Sequence, residues 1–141
     1  MRTFKFLCFA FVLAACSTSS MVRAETPPAS PLTFLLASAA ADFHKNANPA
    51  PEHFRDVQLG HFKAEGGEEQ YVLCGEFLQK GESGKGKWTP FATVRTSSYE
   101  QLIGFQSQSF CRHRGMKWEG SPDLSSSLKL RLEALRGSEA K

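Results

Sequence analysis

The sequence predicts an α+β fold: a small antiparallel sheet of three or four strands, with helices packed on it and one disulfide. Three observations carry this expectation. Strand-like runs at 54–62, 71–78 and 88–96 follow one another with turn-rich sequence between them. Apolar residues recur at helical spacing over 32–45, 97–112 and 124–136. The body of the chain also holds two cysteines, Cys74 in a predicted strand and Cys111 in a predicted helix.

Residues 1–15 read as a signal peptide. Arg2 and Lys5 form a short basic head, and 6–15 is an apolar run of ten, about half of the roughly 20 residues a permanent span needs. Leu13-Ala14-Ala15-Cys16 then resembles the lipobox of bacterial lipoprotein precursors. The resemblance implies cleavage before Cys16 and lipid on its sulfur and new N-terminus. Ser17 follows rather than Asp, which by the same resemblance implies the outer membrane. Acyl chains at about 0.8 kcal/mol per buried CH₂ make such an anchor stable. The other reading is a conventional cut after Val22-Arg23-Ala24, releasing a soluble periplasmic or secreted protein that begins at Glu25. Residues 16–31 would be the lipidated Cys and a polar, Pro-rich tether, with a reach on the order of 20 Å if flexible. Residues 32–141 then form a single domain.

The formal charge of +3 misleads. Arg2, Lys5 and Arg23 precede the first acid, and from Glu25 onward 14 basic and 14 acidic residues balance. The body lacks the field that draws a protein to nucleic acid, so no nucleic-acid partner is expected.

Cys8 leaves with the leader, and Cys16 is either lipidated or removed. Cys74 and Cys111 remain as an even pair in an exported chain, where thiols oxidise. The alternatives are a reactive thiol or a metal ligand. No CxxC is present and no second Cys or His stands at ligand spacing, so neither a redox motif nor a metal site is expected.

In the body, apolar residues at 32, 35, 36, 39, 40 and 43 predict a helix with Thr33 as its cap. Asn46 to Pro51 ends it, because proline cannot continue a helix. In the first strand Val57 and Leu59 share one side with His61, and Asp56 and Gln58 point the other way. The second strand is apolar on both faces, with Tyr71, Leu73 and Phe77 on one and Val72, Cys74 and Leu78 on the other, which predicts a central strand covered on both sides. Pro90 suits the start or edge position of the third. Ser97-Ser98-Tyr99-Glu100 has the form of a capping box and predicts a helix to about Arg112. If Cys111 bonds Cys74, that helix covers the Val72/Cys74 face and the N-terminal helix takes the Tyr71/Leu73/Phe77 face or the edge. Residues 116–119 read as a short fourth strand. Ser121-Pro122-Asp123 reads as a helix start, although 128–132 also alternates, so 124–136 remains open between helix and strand.

Little in the chain carries chemistry. Gly81 to Lys87 satisfies GxxxxGK, but Trp88 stands where a magnesium-binding Ser or Thr belongs, and the loop precedes a strand instead of a helix. The four His residues are scattered, and no Ser or Cys stands in a nucleophile pattern, so no catalytic residue and no cofactor is expected. Arg112-His113-Arg114 is explained as positive charge at a helix C-terminus. A binding surface, if present, is expected where Lys85, Lys87, Trp88 and Phe91 meet. Phe54-Arg55-Asp56-Val57, Cys74-Gly75-Glu76 and Pro90-Phe91 also resemble a pattern in small exported bacterial proteins of uncharacterised function, which implies one exported domain and no particular activity.

These readings lead to an exported cell-envelope lipoprotein, held to the outer membrane and facing the periplasm, that serves as a non-enzymatic accessory or binding module with an envelope protein as partner. The alternative is a soluble periplasmic or secreted enzyme or inhibitor, cleaved after Ala24 and using a cleft near Trp88 with His61.

Overall fold

The computed structural model describes residues 29–81 and 85–139. The leader, Cys16 and residues 17–28 of the tether lie outside the described residues. The order of elements is α1 (Pro31–Asn46), β1 (His53–Lys63), β2 (Glu69–Lys80), β3 (Gly86–Arg95), β4 (Tyr99–Ile103), a 3-10 turn (Gly104–Ser107), α2 (Gln108–Cys111), β5 (Lys117–Trp118) and α3 (Ser125–Glu139). All strand pairs are antiparallel and form one sheet in the order β4-β3-β2-β1-β5. This is the α+β class expected, with five strands where three or four were expected.

α1 begins as its sequence directs, but one turn earlier than a Thr33 cap. Ser30 Oγ accepts from the Thr33 N–H at 3.2 Å, and Pro31 fills the first helical position, where a missing N–H costs nothing. Ser30 and Pro31, the last residues assigned to the tether, therefore belong to the domain. Leu35, Ala39 and Phe43 are buried on the first face of the sheet. The Phe43 ring lies 5.3 Å from Phe54, 5.0 Å from Phe77 and 5.2 Å from Phe91, tilted or edge-on to each, as aromatic rings prefer. α3 adds Leu128 and Leu132 to this core. The stretch left open between helix and strand is thus helix, with Leu130 turned to solvent.

β1 carries a bulge between Arg55 and Gln58, with Asp56 at φ 54°. The extra residue changes the alternation, so Phe54 and Val57, three apart, both enter the first core. The bulge frees the Val57 N–H from the ladder, and Asp123 Oδ1 accepts it at 3.1 Å. The Leu124 N–H in turn donates to Val57 O at 2.8 Å. Asp123 also accepts from the Ser125 N–H at 2.9 Å, which is why α3 starts at Ser125 and not at Ser121. On the other face Trp118 lies over Gly60, where a Cβ would stand 2.9 Å from the indole.

The helix expected from the capping box is the main correction. Residues 99–103 form β4, paired with β3 in the register Arg95↔Tyr99 to Phe91↔Ile103. Phe91, Ala92, Thr93 and Val94 are all buried, so the outer edge of β3 is buried backbone that needs hydrogen-bonding partners. Tyr99 to Ile103 supplies them and alternates well enough to do so, and this tertiary demand overrides the local cap. Helical backbone resumes only over 104–111, as the 3-10 turn and the single turn of α2.

That short segment covers the second face. Phe110 and Met116 pack with Phe62, Val72, Cys74, Ala92 and Val94. Cys111 is joined to Cys74 by a disulfide, with Cα atoms 5.9 Å apart. As expected, helices lie on both faces, and the cysteine-bearing segment is on the Val72/Cys74 side.

Two outcomes are expected. Replacing both cysteines (Cys74→Ala with Cys111→Ala) opens a loop of 37 residues and removes about 4 kcal/mol in the chain-entropy model, read as a lower denaturant midpoint. Asp123→Ala costs about 1 kcal/mol at neutral pH. Burial pushes the Asp123 carboxyl up, but hydrogen bonds from Ser125, Val57 and Asp56 outweigh it and hold the group below its ordinary value. A lowered folded pKa gives stability that is present above the unfolded value of about 3.9 and lost as pH falls through the folded one. The gap between parent and variant should therefore close in acid, as denaturant midpoints measured across pH 7 to 2 would record.

Candidate functional site

The surface expected at Lys85, Lys87, Trp88 and Phe91 does not come together. A strand sends alternate residues to opposite faces, so Trp88 and Phe91, three apart on β3, diverge. Phe91 is fully buried against Phe43 in the first core, and its ring edge occupies the space a Cβ on Gly75 would need. Lys87 pairs in register with Gln79 and Trp88 with Leu78, which puts the two side chains on opposite faces as well. Lys85 is exposed at the end of the loop whose residues 82–84 lie outside the described set.

Trp88 does have a partner. The Arg55 guanidinium lies over its ring at 4.2 Å, and Arg55 Nε donates to Glu76 Oε2 at 2.6 Å. Arg55 and Glu76 are register partners on β1 and β2, one row from the Leu78–Trp88 pair. This cation-aromatic-carboxylate tile occupies the part of the second face beyond Cys74. Glu76 and Trp88 are half-buried and Arg55 is exposed.

His61 lies on the first face, far from Trp88. Its register partner on β2 is Tyr71, seven residues from the Leu78 that faces Trp88, or roughly 23 Å along the strand. A cleft near Trp88 therefore does not contain His61. Instead His61 Nδ1 stands 2.7 Å from Glu119 Oε1, on the segment that follows β5. A Nδ1–H donated to that carboxylate leaves the lone pair on Nε2. The Tyr71 phenol donates to Glu69 Oε2 at 3.2 Å, and that bond to a carboxylate raises its pKa. Next along the row, the Arg95 guanidinium sits 4.9 Å above the Phe34 ring, and Tyr99 faces Arg95 from β4. A polar cleft of about 400 Å³ opens here among Glu68, Glu69, Tyr71, Arg95, Thr96 and Ser97. The arrangement can hydrogen-bond and can hold charge. Among the described residues His61 makes no hydrogen bond to a Ser, Thr or Cys that it could activate.

The other histidines serve packing or lie at the surface. His44 pairs with Glu139 at 3.1 Å, joining the C-terminal ends of α1 and α3. His113 stacks on Phe62 at 3.9 Å and accepts from the Gly115 N–H. His53 is exposed. Arg112 and Arg114 flank His113 in the turn after α2, also exposed.

Sequence spacing concealed Arg55 as the partner of Trp88, since the two are 33 positions apart. Arg55→Ala removes both the ring contact and the ion pair. In a Trp118→Phe background, leaving Trp88 as the one tryptophan, the emission maximum is expected to shift red. The unfolding free energy should fall by no more than about 1 kcal/mol, because the pair is partly exposed.

Compared with protein-family models, with curated proteins and with solved structures, the chain finds no match.

Proposed function

We propose that the chain is an exported lipoprotein of the bacterial envelope, anchored through Cys16 to the outer membrane, facing the periplasm and working there as a non-enzymatic binding or accessory module. The observation that carries this reading is the pairing of a lipobox-like leader with a body closed by Cys74–Cys111, because such a bond forms and persists in oxidising compartments. A binding role draws support from the exposed aromatic and apolar side chains. Phe105 is 87% exposed on the 3-10 turn, with Ile103 beside it, and Trp118 lies partly open at the opposite sheet edge. An envelope protein is the partner this surface suits.

The mass of the intact mature protein from its native host tests the anchor. A chain beginning at Cys16 with added acyl mass is expected, and Cys16→Ala should abolish both the added mass and recovery in the membrane fraction. A chain beginning at Glu25 would overturn the anchor.

One observation favours a second reading, a soluble periplasmic or secreted enzyme or inhibitor cleaved after Ala24. The His61–Glu119 pair orients an imidazole 5.5 Å from the ring of Tyr71, which lines a polar cleft. On that reading His61→Ala removes an activity and leaves the fold intact; a variant indistinguishable from the parent in function would discard it.

A further inference from the structure

α1 ends at a small pocket of about 270 Å³. Its floor is apolar, formed by Phe43, Phe77 and Ile103, and its rim is polar, formed by Asp42, Asn46, Asn48 and Gln79. The hydrogen bonds of that rim fix its polarity. The Asn46 amide nitrogen donates to Asp42 Oδ1 at 2.8 Å, and the Gln79 amide nitrogen donates to Pro49 O. A carboxylate and a carbonyl can only accept, so each amide commits one N–H here and keeps its oxygen and a second N–H for other partners. The Tyr99 phenol also donates to Asp42, at 3.4 Å.

Two further features add negative potential. α1 stops here, and its last carbonyls carry the negative end of the helix dipole. Pro49 and Pro51 follow and have no N–H to offer those carbonyls. Asp42 itself is half-buried, and among the described residues it has no Lys, Arg or His within ion-pair distance. Nearby His44 is turned away to Glu139. A carboxylate one turn from a helix C-terminus is at the wrong end of the dipole, and the nearest basic residues, His44 and Lys45 in the last turn and Lys87 opposite Gln79, make no ion pair with it.

We infer that this pocket binds an organic ammonium ion, with the cationic head at Asp42, Asn46 and Gln79 and one compact apolar group or ring against Phe43, Phe77 and Ile103. The one charged group of the rim is the Asp42 carboxylate, with the Asn46 and Gln79 amide oxygens beside it, which suits a cationic donor. The apolar floor and the volume of about 270 Å³ suit one compact ring. The inference goes beyond the envelope reading and holds whether the chain is anchored at Cys16 or cut after Ala24.

The test is a titration of the disulfide-closed mature protein with benzylammonium, followed by amide chemical shifts. Benzyl alcohol and benzoate serve as neutral and anionic controls of the same shape. Saturable shifts are expected in the last turn of α1 and at Phe77 and Gln79, with the alcohol weaker by about tenfold or more and benzoate silent. Asp42→Asn keeps the shape and removes the charge; it should weaken benzylammonium by about tenfold and leave the alcohol unchanged. Gln79→Lys places a cation on the rim and should abolish the response, and it guards against the Asp42 variant failing to fold. Equal affinity for the alcohol, shifts located elsewhere, an Asp42→Asn protein that still binds as the parent does, or no saturable shift would each overturn the inference.

Discussion

Val72, Leu73 and Cys74 are consecutive in β2 and all buried, so this strand cannot exist with one face in water. The fold answers with two unequal covers. On one side lie α1 and α3, of 16 and 15 residues, closing around Phe43. On the other lies a segment of two short turns, one 3-10 and one α, that is too brief to hold helical shape by itself. The disulfide makes up the difference, since it fixes the small cover to the middle of the strand it shields. The cover does not reach the whole face. Beyond Cys74 the sheet is closed by stacking Arg55 on Trp88 and pairing it with Glu76, a polar tile where a larger helix would have placed leucines.

The bulge in β1 plays a similar organising part at the other edge. It brings Phe54 and Val57 into one core and leaves a backbone N–H without a ladder partner. Asp123 satisfies that N–H and the first N–H of α3 with a single oxygen, so the position of a helix is set by an irregularity in a strand 66 residues earlier. Each of these joints, Cys74–Cys111, Asp123–Val57 and Arg55–Trp88, links residues remote in sequence. The short-range signals determine what each segment becomes, and these long-range joints determine where it sits.

This division explains what could be read beforehand. The three long strands, α1 and the two-sided burial of β2 follow from period and composition, whereas the alternation at 128–132 left α3 open between helix and strand. The cysteine count together with the leader favoured pairing Cys74 with Cys111 over a reactive thiol or a metal ligand. β4 was hidden because Ser97-Ser98-Tyr99-Glu100 satisfies a local helix rule, and the demand that overrode it comes from the buried edge of β3. The grouping of Trp88 with Phe91 ignored the strand period that the same segment already displayed. The pocket at the end of α1 had no sequence signature at all, because Asp42 and Gln79 meet only through the packing of α1 on β2, and Ile103 joins them only because residues 99–103 are a strand.

The position of the disulfide also divides the molecule covalently. Residues 75–110 lie inside the ring it closes, which takes in β3, β4 and the turn before α2, while α1, β1, β5 and α3 lie outside it. Hydrolysis of any one peptide bond inside the ring leaves the two products joined through sulfur as a single molecule. The same cut outside the ring releases a separate fragment. The strands inside the ring, β3 and β4, are thus the ones that a single nick cannot release from the molecule.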